Sequence, residues 1–458
     1  MVELTVKEAA RRTRGQLFSK NPKTVIQGFS IDSRTIKKGQ FFIAVEGKKF
    51  NGHDFIREAV ENGAAGLIVR SGAEGPFDEV AEHVIRVDDT IEAMGRIAAG
   101  IRRRVSLPVV CVTGTNGKTT TKDILAHILS SKFRVLKSER SFNNTIGLSL
   151  TLFGLDDSYD VAVLELGTNH PGEISKLAAI ASPYMAVITN VGDGHLENFA
   201  DREGVFLEKI SLLDQLPDTG IAFLNRDDTL LARTSARQVM KKFFGTAPGS
   251  DFLIGGMEPK ERGYEFTLNG RPFSVPLEGE HNVFNAAAAM AVSEYFGLSW
   301  EEIQKALEGI SLPEMRLERK SVDGLVFIND AYNANPDSFE CALKVLQRTE
   351  GAGMKVVVAG DMLELGEMSE EFHRMIGRSI ADKGIDLLVT LGGRAGRIAE
   401  GALESGMDPE RVFSAENCDA AAGILKHKAS RGAVVLLKAS REIGIEEVLK
   451  CFSTSCIR

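Results

Sequence analysis

The densest chemistry in this sequence lies between positions 109 and 120. Val109-Val-Cys-Val112 is a short run of apolar and β-branched residues, and it leads into Thr113-Gly114-Thr115-Asn116-Gly117-Lys118-Thr119-Thr120. Ile124, Leu125, Ile128 and Leu129 follow at helical spacing. A strand, a glycine turn with one lysine and a hydroxyl, and a helix start together suit a nucleoside triphosphate. Backbone N–H groups and the helix dipole face the phosphates, Lys118 adds a point charge, and Thr119 offers an oxygen to magnesium. The usual eight-residue pattern has glycine where this chain has Val112. The segment predicts use of ATP, with Mg²⁺.

Other groups fall where an open parallel sheet binds ligands, beyond the carboxyl ends of its strands. Glu165 closes the apolar run Val161-Ala-Val-Leu164, and a carboxylate there could hold a cation beside the phosphate loop. His195, in Asn190-Val-Gly-Asp-Gly-His195, follows Met185-Ala-Val-Ile188 and reaches the same edge. At about 100° per residue, Lys209 shares a helix face with Val205, Leu212, Leu213 and Leu216. Such a lysine must snorkel, pair with an acid or lose its charge, and spacing alone favours snorkelling. A neutral amine could instead take up CO₂ as a carbamate, which would bind magnesium as a carboxylate does. Asn282 and Asn285 lie one helical turn apart, either reading an adenine edge or simply exposed. Asp330-Ala-Tyr-Asn-Ala-Asn335-Pro and Lys438-Ala-Ser-Arg441 each follow an apolar run; turns favour these residue types as well.

The elements that must position these groups alternate strand and helix nearly throughout, which implies an α/β protein with mostly parallel sheets. In the first hundred residues Gln40–Val45, Gly66–Val69 and His83–Val87 read as strands and 54–62 as a helix; Arg102–Pro108 looks like a joint. Further strands are Lys355–Asp361, Asp386–Gly392 and Ala433–Lys438. At 458 residues the chain exceeds one core. Three domains are expected: a smaller N-terminal α/β unit (1–106), a central P-loop-type unit (107–312) and a Rossmann-like unit (313–458).

Composition excludes some classes of protein. A net charge of −8, with no basic run beyond Arg102-Arg-Arg104, argues against nucleic acid as the main partner. Five scattered cysteines without a C-x-x-C pair suggest neither zinc nor a disulfide framework. No run approaches the ~18 apolar residues of a membrane span, and the N-terminus lacks the pattern of a signal peptide. A cytoplasmic enzyme is expected.

Taken together these residues resemble the Mur ligase family along the whole chain. The resemblance rests on Ser30-Ile-Asp-Ser-Arg34, Phe50-Asn-Gly-His-Asp-Phe55, Gly114–Thr120, Asn143-Asn-Thr-Ile-Gly147, Glu165–Glu173, Asn190–His195, Glu280–Asn285, Asp330–Asp337, Gly360-Asp-Met-Leu-Glu-Leu-Gly366 and Lys438–Arg441. The phosphate loop is common to the superfamily. Tyr-Asn-Ala-Asn-Pro, where relatives adding diaminopimelate or lysine would show Asp-Asn-Pro-Arg, and Gly-Asp-Met-Leu-Glu-Leu-Gly are more selective. They point to the branch that joins D-alanyl-D-alanine to UDP-N-acetylmuramoyl-tripeptide through an acyl phosphate.

The resemblance implies roles for particular positions. Ser33 and Arg34 would hold the UDP end, and Asn144, Thr145 and Asn169 would approach the substrate. Lys118 would contact the β- and γ-phosphates, while Thr119, Glu165, His195 and carbamylated Lys209 would serve magnesium. Asn282 and Asn285 would meet adenine, with Arg316 and Asp330 completing the nucleotide site. Asn333, Lys438, Ser440 and Arg441 would lie near the dipeptide. Three departures stand out: Gly194 where alanine is expected, Lys209-Ile-Ser211 where Lys-Gly-Glu is frequent, and Lys-Ala-Ser-Arg in place of Lys-Gly-Ser-Arg. The rivals are a ligase adding diaminopimelate or lysine, folylpolyglutamate synthetase, a P-loop ATPase with a partner-binding module, and an inactive scaffold. A monomer acting on small molecules is expected.

Overall fold

Strands covered by helices on both faces need apolar side chains on both, and the centre of this molecule is built that way. Along Val109–Thr113 every residue is buried. Val109 and Cys111 pack with residues of the helices Thr90–Arg102, Thr145–Phe153 and Glu173–Ala181, whereas Val110 and Val112 pack with Lys118–Ser130 and His281–Tyr295. The computed structural model describes residues 3–47, 50–235, 239–311, 313–349, 351 and 353–454. The expected cut at 312, and Cys456, lie outside them.

The central sheet has nine strands, in the order Arg271–Val275, Tyr264–Leu268, Phe252–Pro259, Met240–Gly245, Ile221–Asn225, Met185–Ile188, Val109–Thr113, Val161–Glu165 and Val135–Lys137. The first two pairings are antiparallel and the rest parallel. From Val109–Thr113 the chain runs to the Val135–Lys137 edge, returns through Val161–Glu165, and crosses to Met185–Ile188 on the other side. Strand order therefore reverses beside Thr113, where a crevice opens at the carboxyl ends. The register sets Glu165 opposite Val112 and Ile188 opposite Thr113. The phosphate loop, Glu165 and the loop to His195 thus leave the sheet at one edge.

The N-terminal unit holds a five-stranded sheet in the order Gln16–Ser19, His83–Val87, Gly66–Arg70, Phe41–Ile43 and Phe29–Ser30, and a small antiparallel pair, Leu4–Thr5 with Val25–Ile26. Its helix Thr90–Arg102 lies so close to the central domain that a Cβ on Gly95 would come 2.9 Å from Ile180 Cδ1. One apolar core runs continuously from Leu4 to the central sheet, so packing does not break near 106. The third domain has six strands, ordered Glu318–Val322, Leu325–Asn329, Val434–Lys438, Lys355–Gly360, Leu387–Leu391 and Val412–Ala415. All pairings except the first are parallel. Among the described residues no helix is long and apolar enough to cross a membrane.

Candidate active site

A cavity of about 1080 Å³ lies between the carboxyl edge of the central sheet and the third domain. The phosphate loop forms one wall. Gly114 and Gly117 hold φ of 151° and 81°, which glycine adopts without strain. Gly117 caps the helix Lys118–Ser130 with no side-chain acceptor, so the first N–H groups remain available to an anion. Lys118 Nζ folds back onto Gly114 O and Thr115 O, at 2.8 and 3.0 Å. Burial lowers its pKa, Glu165 opposes that shift, and Arg316 adds to it.

The two helix asparagines are buried, not exposed. Asn285 Nδ2 donates to Asn282 Oδ1 (2.9 Å), Asn282 Nδ2 to Glu278 O (2.6 Å), and Thr121 Oγ1 to Asn285 Oδ1 (3.2 Å). Asn285 Oδ1 also fills the space that a side chain on Gly117 would need. Both residues line the cavity.

Glu165 is fully buried. Its Oε1 accepts from Asn143 Nδ2 at 2.8 Å and its N–H donates to Ser138 Oγ at 3.1 Å, while Oε2 is buried without a hydrogen bond. An orphaned carboxylate oxygen, beside a threonine hydroxyl at a phosphate loop, fits a hard cation with oxygen ligands. Among the described residues no three His, Cys, Asp or Glu side chains converge on one point. An ion here would therefore need hydroxyl, phosphate or carbamate oxygens as well.

Lys209 does not snorkel: it is 1% exposed. The helix Arg202–Ile210 passes into a 3₁₀ turn, Ser211–Gln215, and buries the lysine with Val205, Leu212 and Leu213. Burial drives its pKa well below the usual lysine value, nearby Lys118 pushes the same way, and Glu208 opposes. Lys209 is not among the residues lining the cavity. The preceding Glu208 accepts from Gly172 N and Ile174 N, both at 2.7 Å, and from Thr168 Oγ1, so it fastens the segment carrying Asn169. His195 holds left-handed backbone, φ 60°, with Nδ1 2.5 Å from Glu364 Oε2 of the third domain.

The opposite wall comes from the third domain. Arg316 Nη2 donates to Thr119 Oγ1 at 2.9 Å and its guanidinium lies 4.3 Å from the centre of the Tyr332 ring. Its neighbours Met315 and Leu317 both have positive φ, 58° and 54°. Tyr332 OH meets Ser141 Oγ on the loop before Asn143. Lys438 is 1% exposed and bonds Asp330 Oδ2 at 2.5 Å and Asn333 O at 3.1 Å. Ser440 Oγ accepts from Leu363 N at 2.8 Å, and Arg441 pairs with Glu446 at 2.5 Å. All of these third-domain positions flagged in the sequence line the cavity.

Besides Lys209, five flagged residues do not line it: Gly114, whose carbonyl accepts from Lys118, and four others. Ser33 Oγ donates to Glu58 Oε2 and Arg34 pairs with Asp32, both within the N-terminal unit. Asn144 Oδ1 caps the helix Thr145–Phe153 by accepting from Gly147 N, and Thr145 is its first residue. Conversely, Asn143, Asn190, Tyr332, Asn335 and Glu364 were not singled out, although each lies in a quoted motif. Their signal was density of polar residues after a strand; their partners lie up to 219 positions away. The small residues that depart from the family pattern also fit locally. A Cβ on Gly194 would come 2.8 Å from Thr115 Cγ2, and one on Gly360 would come 2.6 Å from Ala439 Cβ.

Three segments match known domains: residues 25–102 the Mur ligase family catalytic domain, 112–293 the Mur ligase middle domain, and 315–441 the Mur ligase glutamate ligase domain. The UDP-N-acetylmuramoyl-tripeptide--D-alanyl-D-alanine ligase of Bacillus subtilis is 38% identical over 456 residues, covering 98% of each chain. The crystal structure of MurF from Acinetobacter baumannii superposes with a TM-score of 0.88 at 30% identity, covering 99% of each chain. That of MurF ligase from Thermotoga maritima in complex with ADP gives 0.81 at 30% identity, covering 93% of this chain and 97% of the other. With matches to all three domains in order and relatives aligned end to end, the chain belongs to the Mur ligase family.

Proposed function

We propose that this enzyme is the ATP-dependent ligase that joins D-alanyl-D-alanine to UDP-N-acetylmuramoyl-tripeptide, forming the pentapeptide precursor of peptidoglycan with ADP and phosphate. The observation that carries the reading is the shared cavity: an uncapped phosphate-loop helix on one side, and Arg316, Asp330, Asn333, Lys438 and Ser440 of the third domain on the other. End-to-end similarity to relatives bearing that name supports the choice of acceptor over diaminopimelate, lysine or glutamate, as does Tyr-Asn-Ala-Asn-Pro at 332–336.

A peptide carboxylate is a poor electrophile, so it must be activated. Its oxygen attacks the γ-phosphorus of ATP, ADP leaves, and an acyl phosphate forms. The dipeptide amine then attacks the carbonyl carbon, and the tetrahedral intermediate expels phosphate. Charge accumulates on phosphoryl oxygens in the first step, so positioning and fixed positive charge carry most of the catalysis. Lys118 is assigned to the β- and γ-phosphates, which would replace the two carbonyls it now contacts. Arg316 completes the positive wall from the third domain. Asn282 and Asn285 are assigned to the adenine side, and Ser33 and Arg34 to the UDP end.

Thr119, Glu165, His195 and Lys209 as its carbamate are the groups that would hold magnesium, which when bound neutralises phosphoryl charge. The buried, depressed lysine supports carbamylation, because only the neutral amine reacts with CO₂. Lys438, Ser440, Asn333 and Arg441 are assigned to the dipeptide, with Asn144, Thr145 and Asn169 toward the tripeptide. A monomer is the proposed form, and the nucleotide-linked substrate suits the cytoplasm.

The test is phosphate release from ATP with UDP-N-acetylmuramoyl-tripeptide, with and without D-alanyl-D-alanine, with the product mass read from the same tube. Release that requires the dipeptide, and a product heavier by one dipeptide less water, is expected. Turnover only with UDP-N-acetylmuramoyl-dipeptide and a free diamino acid would move the enzyme to the neighbouring branch. Hydrolysis indifferent to acceptors would overturn the ligase assignment.

A further inference from the structure

His195 and Glu364 belong to different domains and to loops that leave different sheets, yet they meet. Their side chains stand 2.5 Å apart, Nδ1 to Oε2, a close contact outside hydrogen-bond geometry, and Glu197 N donates to Glu364 O at 3.1 Å. Both hold left-handed backbone, φ 60° and 64°, which non-glycine residues keep only where surrounding contacts enforce it. A Cβ on Gly366 would come 3.3 Å from Glu197 Cα, so the two loops touch backbone to backbone. Each is anchored behind. Leu363 N donates to Ser440 Oγ and Met362 N to His373 Nε2 on one side; Gly192 N donates to Thr115 Oγ1 of the phosphate loop on the other.

We propose that Glu364 is a positioning residue for His195, supplied by the third domain and in place only when that domain is closed. The proposal rests on the reading of His195 as a group facing phosphate or metal. At 2.5 Å an unprotonated Nδ1 would set its lone pair against the carboxylate, so the contact favours the tautomer protonated there and leaves the Nε2 lone pair for the cavity that His195 lines. In an open molecule the imidazole is free to hold either tautomer. Because Leu363 is tied to Ser440, seating the dipeptide-binding loops also seats Glu364. Closure thereby orders the phosphate end of the site without Glu364 touching substrate.

The full-length enzyme carrying ¹⁵N-histidine tests this, as wild type, Glu364→Ala and Glu364→Gln. Spectra are taken with a non-hydrolysable ATP analogue and UDP-N-acetylmuramoyl-tripeptide, and the His195 signals are assigned by their loss in His195→Gln. Wild type is expected to show the Nδ1–H tautomer. Glu364→Ala loses it, with kcat lower by about 10–100-fold, little change in the KM for ATP, and an unchanged melting temperature. Glu364→Gln, whose carbonyl oxygen can still face Nδ1, retains more of both. An unchanged His195 tautomer in Glu364→Ala overturns the proposal, whatever happens to activity. Wild-type enzyme without dipeptide-dependent phosphate release would overturn the assigned function instead, since the spectra do not depend on turnover.

Discussion

The side-chain amides of Asn116 and Asn335 exchange two hydrogen bonds, 2.9 and 3.3 Å, between the phosphate loop and the third domain. Among the described residues the Asn116 side chain bonds only to Asn335, whereas Asn335 also caps the helix Pro336–Arg348 by accepting from Ser338 N. The two residues are therefore separable by mutation. Asn116→Ala should weaken the closed arrangement by about 1–2 kcal/mol, lowering kcat/KM for ATP by roughly tenfold with no change in melting temperature. Asn335→Ala should add a loss of about 1 kcal/mol of stability from the missing cap. Steady-state kinetics and calorimetry on the two variants check this.

Arg316 reaches Thr119 through one nitrogen and stacks on Tyr332 through its plane. Lysine can do neither well. Arg316→Lys should therefore behave nearly as Arg316→Ala, each lowering kcat/KM about 10–100-fold, the kinetic equivalent of one lost charge-assisted hydrogen bond. A lysine variant with near wild-type kinetics would show that charge alone suffices.

Lys209 gives a stability prediction whose sign follows from burial. Its folded pKa lies well below the ordinary 10.5, so the fold prefers the neutral amine. Its full contribution is present above 10.5 and is lost as pH falls through the window toward the folded value. In carbonate-free buffer, Lys209→Met should melt higher than wild type at pH 7, on the order of a few degrees, and the gain should shrink as pH approaches 10.5. The same variant should lose ligase activity. Lys209→Ala should regain part of it in added acetate, which returns a carboxylate to the position of the carbamate.

His281 lines the cavity and burial lowers its pKa to about 4. A histidine depressed below its usual 6.5 stabilises the fold in full above that value and loses its contribution as pH falls toward 4. Melting temperatures at pH 7 and pH 5 should differ more for wild type than for His281→Gln. The difference corresponds to about 1–2 kcal/mol.

How much of this could be read from the sequence varies with the physics of each part. Several parallel strands of the central and third sheets were legible because burial on both faces leaves unbroken apolar runs such as Val161–Leu164 and Val356–Gly360, whereas Val135–Lys137, Ile221–Asn225, Met240–Gly245 and Val412–Ala415 went unread. The antiparallel pair Tyr264–Leu268 and Arg271–Val275 was not, since alternating burial along Tyr264-Glu-Phe-Thr-Leu268 gives a weaker signal. Helix spacing put Lys209 on an apolar face correctly but could not tell how deep that face lies; at 1% exposure its amine cannot reach solvent. The phosphate loop was legible because all its parts are contiguous. Glu364 and Asn335 were quoted only as parts of motifs, because their meaning depends on a partner from another domain.

The two residues flanking Arg316 carry a further mechanical consequence. Met315 and Leu317 are not glycine, yet both sit at positive φ, a strain of about 1 kcal/mol or more apiece. Met315 O accepts from Tyr332 N and Leu317 N donates to Asp330 Oδ1, so the twist is clamped by the loop that walls the cavity. The strained backbone is thus held from within the third domain, which presets the direction in which Arg316 reaches Thr119.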